Sequence, residues 1–202
     1  MIAPGPDRRG VAAFDFDGTI SRRDTLGPFL ARVAGSAALA RTLVMRSPRF
    51  AAVKLGRADR DAEKEAVITR LIAGRTAASL AAAGRAYADH LWTRQQFRPE
   101  MLERLRWHRS EGHDIVIVSA SLDSYLTPLA PRLGVDYVMS CSLETDGSGL
   151  VTGRLLGGNV RGAEKARRLR TWLGADAAEL WAYGDSSGDD DLLAMADHPT
   201  RV

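Results

Sequence analysis

Two aspartates, Asp15 and Asp17, follow a short apolar run in the segment VAAFDFDGTI and stand immediately before a Gly-Thr turn. A run this short, rich in Val, Ala and Phe, predicts a buried strand over residues 11–17. Side chains two residues apart on a strand point to the same side, so both carboxylates are expected at one site. Because neighbouring carboxylates repel, the pair predicts a bound metal ion or a raised pKa. A solvated strand end with two acidic residues is also common, so the pair taken alone favours an enzyme only modestly.

Apolar segments of strand length recur along the chain and alternate with segments of helical spacing. The strand-like segments span residues 114–120, 137–142 and 180–185, and residues 200–202 begin a further strand. The helical segments span residues 101–111, 122–132 and 162–173. This alternation predicts an α/β fold, with a Rossmann-like parallel sheet and crossover helices. A β-hairpin with Asp-Gly turn chemistry is expected over residues 143–160, beside the site.

The segment between the first two strands is far too long for a simple strand-to-helix connection. It is rich in Ala, Leu and Arg, contains no convincing strand and predicts several helices, with Asp59 and Thr76 as N-caps. We therefore expect a core formed by residues 1–20 and 98–202. Residues 21–97 are expected to form a helical cap, or lid, inserted between the first and second core strands.

Composition limits the classes of partner and compartment. With 202 residues, 45% of them hydrophobic, the chain can fill the core of one α/β domain with an insertion. Arginines scattered through predicted helices dominate the formal charge of +3, so no nucleic-acid partner is expected. The single cysteine, Cys141, and the absence of a secretory signal predict a cytoplasmic location. Arg32 and Arg41 interrupt the longest apolar stretch, so this stretch is expected to form an amphipathic or buried helix rather than a membrane span. Attachment to a membrane surface stays open without being favoured.

Two serines stand at the end of the second predicted strand, in the sequence DIVIVSAS. Hydroxyls and free backbone N–H groups at a helix start form a cradle for anions, so Ser119 is expected to contact a phosphate. Ser121 is equally compatible with a plain helix N-cap. Lys165, one of three lysines among many arginines, can neutralise both a phosphate and a nearby carboxylate, although on its own it is better interpreted as a solvated helix residue.

Four aspartates follow the last predicted strand in the sequence YGDSSGDDDLL. We expect Asp185, at the strand tip, and Asp189, in the loop, to face the site. Asp190 and Asp191 are expected to be surface residues at a helix start. Parallel sheets bind ligands beyond the carboxyl ends of their strands. The side chains expected to converge there are those of Asp15, Asp17, Ser119 and Asp185.

These motifs stand in the order DFDGT, VIVSAS, GAEK and GDSSGD, and with them the chain resembles the haloacid dehalogenase superfamily of phosphohydrolases over nearly its whole length. The helical insertion and the hairpin resemble subfamily IB, which contains phosphoserine phosphatase. The resemblance implies a phosphatase that forms an aspartyl-phosphate on Asp15, with Asp17 as general acid and base. Dehalogenating members lack the second aspartate, so its presence favours phosphate esters over carbon–halogen bonds.

The resemblance also implies how the ligands are held. The residues implied to bind the phosphate are Ser119, Ala120 and Lys165. The groups implied to bind Mg²⁺ are Asp15, the backbone carbonyl of Asp17, and Asp185, with Asp189 supporting the water shell of the ion. A magnesium ion is therefore the expected cofactor.

The expected substrate is a small metabolite phosphate ester, such as phosphoserine or a related amino-alcohol phosphate, for example histidinol phosphate. Phosphoserine phosphatases usually carry a glutamate that recognises the amino group of the substrate, and Asp24 stands at the matching position. Asp24 is therefore the expected specificity residue of the cap. Two alternatives stay open: a phospholipid-phosphate phosphatase of the phosphatidylglycerophosphate type, and a phosphoryl-binding module without turnover.

Other cap side chains are weaker candidates for substrate contacts, because such residues on helices more often form core or solvated faces. The cationic candidates are Arg41, Arg46, Arg49 and Lys54, and the apolar ones are Leu26, Phe29 and Phe50. The histidines lack the spacing of metal ligands and are expected at the surface or in packing. They are His90, His108, His113 and His198.

Overall fold

The structure, a computed structural model, describes residues 9–175 and 178–202. Its strands are β1 Arg9–Phe14, β2 Asp114–Leu122, β3 Tyr137–Thr145, β4 Val151–Leu156, β5 Ala178–Gly184 and β6 His198–Arg201. They form one sheet in the order β4-β3-β2-β1-β5-β6, in which all neighbours are parallel except the antiparallel β3 and β4. The α/β fold with a mostly parallel sheet is therefore confirmed. The predicted last strand exists and begins two residues earlier, at His198.

Helices flank this sheet and fill the long segment after β1. We call α1 to α5 the cap helices: α1 Leu26–Ala34, α2 Ser36–Met45, α3 Ser47–Lys54, α4 Arg60–Ile72 and α5 Ala77–Thr93. The remaining α-helices of the described residues are α6 Pro99–Ser110, α7 Asp123–Leu133, α8 Ala163–Leu173 and α9 Asp190–Ala194. Among the described residues, no helix is both long and apolar enough to cross a bilayer.

The starts of α4 and α5 follow from their capping residues. The Asp59 carboxylate accepts a hydrogen bond from the Asp61 amide at 2.8 Å, and the Thr76 hydroxyl accepts one from the Ser79 amide at 3.2 Å. Both side chains satisfy backbone donors that the first helical turn leaves unpaired. The two predicted N-caps are therefore confirmed.

The central strand β1 ends earlier than predicted. Residues 11–14 have no exposed surface, as expected for a strand paired on both sides, but the strand stops at Phe14 rather than at Asp17. The Asp15 amide still donates to the Tyr183 carbonyl at 2.9 Å. Beyond it the chain turns, with a φ of +82° at Gly18. The argument that both aspartates point to one side of an extended strand therefore does not apply to Asp17.

The chain enters and leaves the cap helices along two adjacent backbone segments. The Arg22 amide donates to the Gln96 carbonyl at 3.0 Å, and the Arg98 amide donates to the Ile20 carbonyl at 2.9 Å. These bonds hold both ends of the cap segment close to the carboxyl end of β1. The exact division into core and cap stays a prediction.

The predicted hairpin is present as β3 and β4, and it supports α4. Gly153 of β4 lies against Thr69 of α4 so closely that an added Cβ would sit 2.3 Å from the Thr69 Cα. The Leu155 amide also donates to the Glu65 carboxylate of α4 at 2.9 Å. Helix α4 is thus anchored to the edge strand β4, which fixes its position over the strand ends.

Packing between α5 and α7 generates a stability prediction at Gly84. Replacing a helical glycine by alanine usually stabilises by about 1 kcal/mol. Here an added Cβ would lie 1.9 Å from the Ser124 carbonyl oxygen of α7, so Gly84→Ala is expected to destabilise by roughly 1–3 kcal/mol. Urea unfolding measures the change, with the exposed Ala86→Gly as a propensity control. A more stable Gly84→Ala variant would contradict the close packing.

Candidate active site

A cavity of about 700 Å³ lies beyond the carboxyl ends of β1, β2 and β5. Its wall has a core side and a cap side. The core side includes Asp15, Asp17, Ser119, Ala120, Ser121, Arg161, Lys165, Asp185, Ser186, Gly188 and Asp189. The cap side consists of Asp24, Leu26, Phe50, Val53, Lys54, Arg60, Glu63 and Lys64. The residues predicted to act in catalysis or to bind phosphate or metal all line this one cavity, and so does Asp24.

Three carboxylates meet at the core side of the cavity. Asp15, Asp185 and Asp189 each offer an oxygen atom, and these three atoms lie within 4.8 Å of one another. Asp15 and Asp189 are buried, whereas Asp185 is partly exposed. Two glycines make the close approach sterically feasible: a Cβ at Gly18 would lie 2.2 Å from an Asp185 oxygen, and one at Gly184 would lie 2.4 Å from the Asp189 Cβ.

Lys165 joins two of these carboxylates. Its buried ammonium donates to Asp15 Oδ1 at 2.5 Å and to Asp189 Oδ1 at 2.6 Å. Burial alone would lower the pKa of Lys165, but the two carboxylates outweigh this effect and raise it. The lysine is therefore a fixed positive charge at the site, in contrast to the solvated helix residue that its sequence position alone would favour.

The carboxylates exceed the positive charge that faces them. Burial raises the pKa of Asp15 to about 7; Lys165 opposes this shift and Asp189 reinforces it. Burial also raises the pKa of Asp185, with a further contribution from Asp189. Three carboxylates with one ammonium leave excess negative charge, and carboxylate oxygens are the ligands that Mg²⁺ prefers. Asp15, Asp185 and Asp189 therefore fit a divalent cation.

Asp17 faces a different part of the cavity from this cluster. Its Oδ1 accepts hydrogen bonds from the Thr25 amide at 2.8 Å and the Thr25 hydroxyl at 2.6 Å, and its Oδ2 accepts one from Ser121 Oγ. Burial raises the pKa of Asp17 to about 6; Asp24 adds to the rise, and the hydrogen bonds limit it. The carboxylate is thus held in one orientation. Its predicted metal contact, through the backbone carbonyl, stays a prediction.

The end of β2 supplies the serines. The strand continues to Leu122, which precedes α7 as its N-cap residue, so the N-cap interpretation of Ser121 is wrong. Ser121 is instead buried, and its hydroxyl donates to Asp17. Ser119 is also buried, and its Oγ accepts the Ser121 amide at 3.2 Å. The two hydroxyls therefore serve different neighbours within the same cavity.

Asp24 has a structural contact in addition to its place in the cavity wall. Its Oδ2 accepts the Gly27 amide at 3.0 Å, next to the start of α1, while the residue remains exposed. A carboxylate there satisfies one of the unpaired donors of the first helical turn. The side chain can therefore contribute to helix capping as well as to substrate recognition.

The weaker cap candidates divide into two groups. Lys54, Leu26 and Phe50 line the cavity. Arg46 instead donates to the buried Glu63 carboxylate, at 2.6 Å from its Nη2. Phe29 packs against Tyr87 and Tyr125, and neither Arg41 nor Arg49 contributes to the cavity wall.

His108 is a packing residue, as predicted, because it is buried in the core. Its ring nitrogens bond to His113 at 2.8 Å and to the Tyr183 hydroxyl at 2.9 Å. Burial lowers the pKa of His108 to about 4, with smaller contributions from His113 and Arg104. It is therefore a neutral packing residue outside the cavity.

Three cavity residues on α4, Arg60, Glu63 and Lys64, were missed by sequence reasoning. Lys64 is the most informative, since its Nζ donates to the Ala120 carbonyl oxygen and to Asn159 Oδ1, both at 2.5 Å. The only signal available in the sequence was the rarity of lysine. Helical spacing alone could not show that this side chain reaches the end of β2.

The chain is similar to known proteins in both sequence and fold. A family model described as haloacid dehalogenase-like hydrolase matches residues 12–194. Protein CicA of Caulobacter vibrioides is 35% identical over 187 residues, which cover 93% of this chain and 83% of CicA. A histidinol-phosphatase of Neisseria meningitidis is 28% identical over 101 residues, 47% of this chain and 46% of that protein. A substrate-bound phosphoserine phosphatase has a similar fold, with a TM-score of 0.65, 16% identity and coverage of 94% and 84% of the two chains.

The buried ion pairs of Lys165 generate a stability prediction. Lys165→Met is expected to lower the free energy of unfolding by about 3–5 kcal/mol, because it leaves buried carboxylates without their cation. Arg167→Met is the matched control on α8, since it removes an exposed pair with Glu164 and is expected to cost much less. Urea unfolding in EDTA compares the variants. Equal losses would show that Lys165 does not hold the site together.

Proposed function

The chain belongs to the haloacid dehalogenase-like hydrolases, which confirms the resemblance of its motifs, and from this premise we propose that it is a Mg²⁺-dependent phosphomonoesterase. The observation that carries the proposal is the cluster of Asp15, Asp185 and Asp189 around Lys165, on the floor of a cavity. A module that only bound phosphate would gain nothing from a carboxylate nucleophile in that position.

In the first step, Asp15 attacks the phosphorus of the ester. Lys165 occupies Oδ1 of Asp15, so we assign the attack to Oδ2. A bond forms between this oxygen and phosphorus, and the bond from phosphorus to the alcohol oxygen breaks. The product is an aspartyl-phosphate, which divides hydrolysis into two displacements. Asp17 donates its proton to the departing alkoxide.

In the second step, Asp17 accepts a proton from water, and the resulting hydroxide oxygen bonds to phosphorus. The bond from phosphorus to Asp15 breaks, which releases inorganic phosphate and restores the carboxylate. A pKa of about 6 suits both roles of Asp17 near neutral pH. The bonds from Thr25 and Ser121 keep this carboxylate oriented throughout.

Phosphate binding is assigned to groups at the ends of β2 and α8. Ser119, the Ala120 backbone and Lys165 line the cavity beside Asp15. Asp15, the Asp17 backbone carbonyl and Asp185 would hold Mg²⁺, with Asp189 supporting its water shell. The charge of the ion would offset the repulsion between the nucleophile and an anionic substrate.

The cap side of the cavity favours a small substrate that carries an amino group. Asp24 can pair with an ammonium group, and Lys54 and Arg60 can pair with a second anionic group. The volume of about 700 Å³ is in the range of small-molecule sites. We therefore propose phosphoserine or a related amino-alcohol phosphate such as histidinol phosphate. We place the reaction in the cytoplasm, where the free thiol of Cys141 would stay reduced.

One surface feature favours a second candidate, a phospholipid-phosphate substrate of the phosphatidylglycerophosphate type. Apolar side chains near the ends of α2 and α3 are exposed: Leu43, Val44, Met45 and Leu55. Arginines and Lys54 accompany them in sequence, a composition typical of surfaces that meet anionic lipids. A substrate panel that includes phospholipid phosphates tests this candidate.

Turnover tests the nucleophile. Wild-type protein with Mg²⁺ is expected to release phosphate from a panel of metabolite and phospholipid phosphates, and Asp15→Asn is expected to lower the rate at least about 10³-fold. The exposed Asp191→Asn is the matched control outside the carboxylate cluster. Activity on phospholipid phosphates alone would favour the second candidate. No release from any ester, or full activity of Asp15→Asn, would contradict the proposal.

Thermal unfolding tests the metal site without turnover. Mg²⁺ binds the folded protein in this proposal, so it is expected to raise the unfolding midpoint by about 2–4 °C for each kcal/mol of stabilisation. Asp185→Asn is expected to abolish this increase, whereas Asp191→Asn is expected to retain it. An unchanged Mg²⁺ response in Asp185→Asn would place the ion elsewhere.

A further inference from the structure

Lys64 of α4 reaches across the cavity wall to the phosphate-binding end of β2. Its Nζ donates to the Ala120 carbonyl oxygen and to Asn159 Oδ1, both at 2.5 Å. The amide of Asn159 donates in turn to Asp61 Oδ1 at 2.7 Å, one turn earlier on α4. The lysine is therefore held from two sides, and none of the steps assigned above uses it.

The carbonyl that Lys64 contacts belongs to the peptide between Ala120 and Ser121. In a trans peptide the C=O and N–H groups point in opposite directions, and the described residues contain no cis peptide. With its oxygen bound by Lys64, this peptide directs its N–H away from the lysine. That N–H donates to Ser119 Oγ at 3.2 Å. Lys64 and Ser119 thus occupy opposite ends of one peptide unit.

This arrangement sets the direction of the Ser119 hydroxyl. Because a lone pair of Oγ accepts the Ser121 amide, the hydroxyl hydrogen is available for an acceptor elsewhere, such as a phosphate oxygen in the cavity. A rotation of the peptide would remove that constraint. It would also displace Ser121, whose hydroxyl donates to Asp17.

The electrostatics are consistent with a charged Lys64 at this position. Burial lowers its pKa, and nearby Cys141, Asp61 and Asp17 counter that effect. A cation bonded to a carbonyl oxygen also polarises the peptide and strengthens the hydrogen bond made by its N–H. Lys54, the other lysine on the cap side of the wall, is exposed and has no bond to this peptide, so it offers a comparison within the same cavity.

We propose that Lys64 is a positioning residue that fixes the Ala120–Ser121 peptide and thereby orients Ser119 to bind the phosphate of the substrate. The proposal deepens the proposed function and rests on it. It also makes the phosphate site dependent on a cap helix, because α4 must lie where Lys64 can reach the end of β2.

A double-mutant cycle tests this assignment. Lys64→Met is expected to lower kcat/KM at least about 10-fold when Ser119 is present, which is the size of one lost hydrogen bond to a charged group. In a Ser119→Ala background the same substitution is expected to cost less than about 3-fold, because residues that act through one another are non-additive. Lys54→Met, the control, is expected to have equal effects in both backgrounds. Additive losses for Lys64→Met and Ser119→Ala would overturn the proposal.

A binding measurement separates this proposal from the proposed function. Calorimetry in the presence of Mg²⁺ measures the affinity for inorganic phosphate, without turnover, for each protein of the same double-mutant cycle. Lys64→Met is expected to weaken phosphate binding at least about 10-fold only when Ser119 is present. If Lys64→Met weakens phosphate binding only when Ser119 is present, but the wild type hydrolyses no ester, the proposed function fails and the role of Lys64 stands. If turnover is normal and phosphate affinity is unchanged by Lys64→Met, the role of Lys64 fails alone.

Folding of the variant is checked by its thermal transition. Should Lys64→Met not unfold cooperatively, Lys64→Gln replaces it in the cycle, since its shorter amide keeps a polar group on α4 without the cation. The NMR signal of the Ser121 amide gives a direct readout of the peptide. It is expected to shift in either Lys64 variant and to stay unchanged in Lys54→Met, and an unchanged signal in a folded Lys64 variant would overturn the proposal.

Discussion

The ammonium of Lys165 is the interaction on which the site depends, because it binds Asp15 and Asp189 while both are buried. Carboxylates delivered from separate segments of the chain would otherwise repel each other. Burial still raises the pKa of Asp15 to about 7, so the lysine compensates the cluster only in part. The remaining negative charge is what makes the cluster suited to a divalent cation and to phosphoryl chemistry.

The second level of organisation joins the cap helices to this centre. Thr25 at the start of α1 holds one oxygen of Asp17, and Lys64 of α4 holds the peptide beside Ser119. The hairpin supports α4 in two places: Gly153 packs closely against this helix, and the Leu155 amide donates to Glu65 of the helix. In the proposed function, substrate recognition and catalysis therefore share structural elements, so a change in the cap is expected to alter the chemical centre as well as specificity.

Much of the fold could be predicted because it depends on local patterns. Strand-length apolar runs, turn chemistry and the N-caps Asp59 and Thr76 act within a few residues. The gathering of Asp15 and Asp185 also followed, since parallel strands present their carboxyl ends at one edge. The early end of β1 could not be predicted in this way, because the turn at Gly18 ends the strand within the apolar run.

The contacts of Ser121 and Lys64, which sequence reasoning missed, join distant parts of the chain. Ser121 binds Asp17, and Lys64 reaches Ala120, across separations that spacing within one element cannot reveal. The most direct test of the account is acid quenching during turnover of a phosphate ester, followed by mass spectrometry of the peptide that contains Asp15. We predict one added phosphoryl group on Asp15. Phosphate release without a phosphorylated peptide, or a phosphoryl group on another residue, would contradict the account.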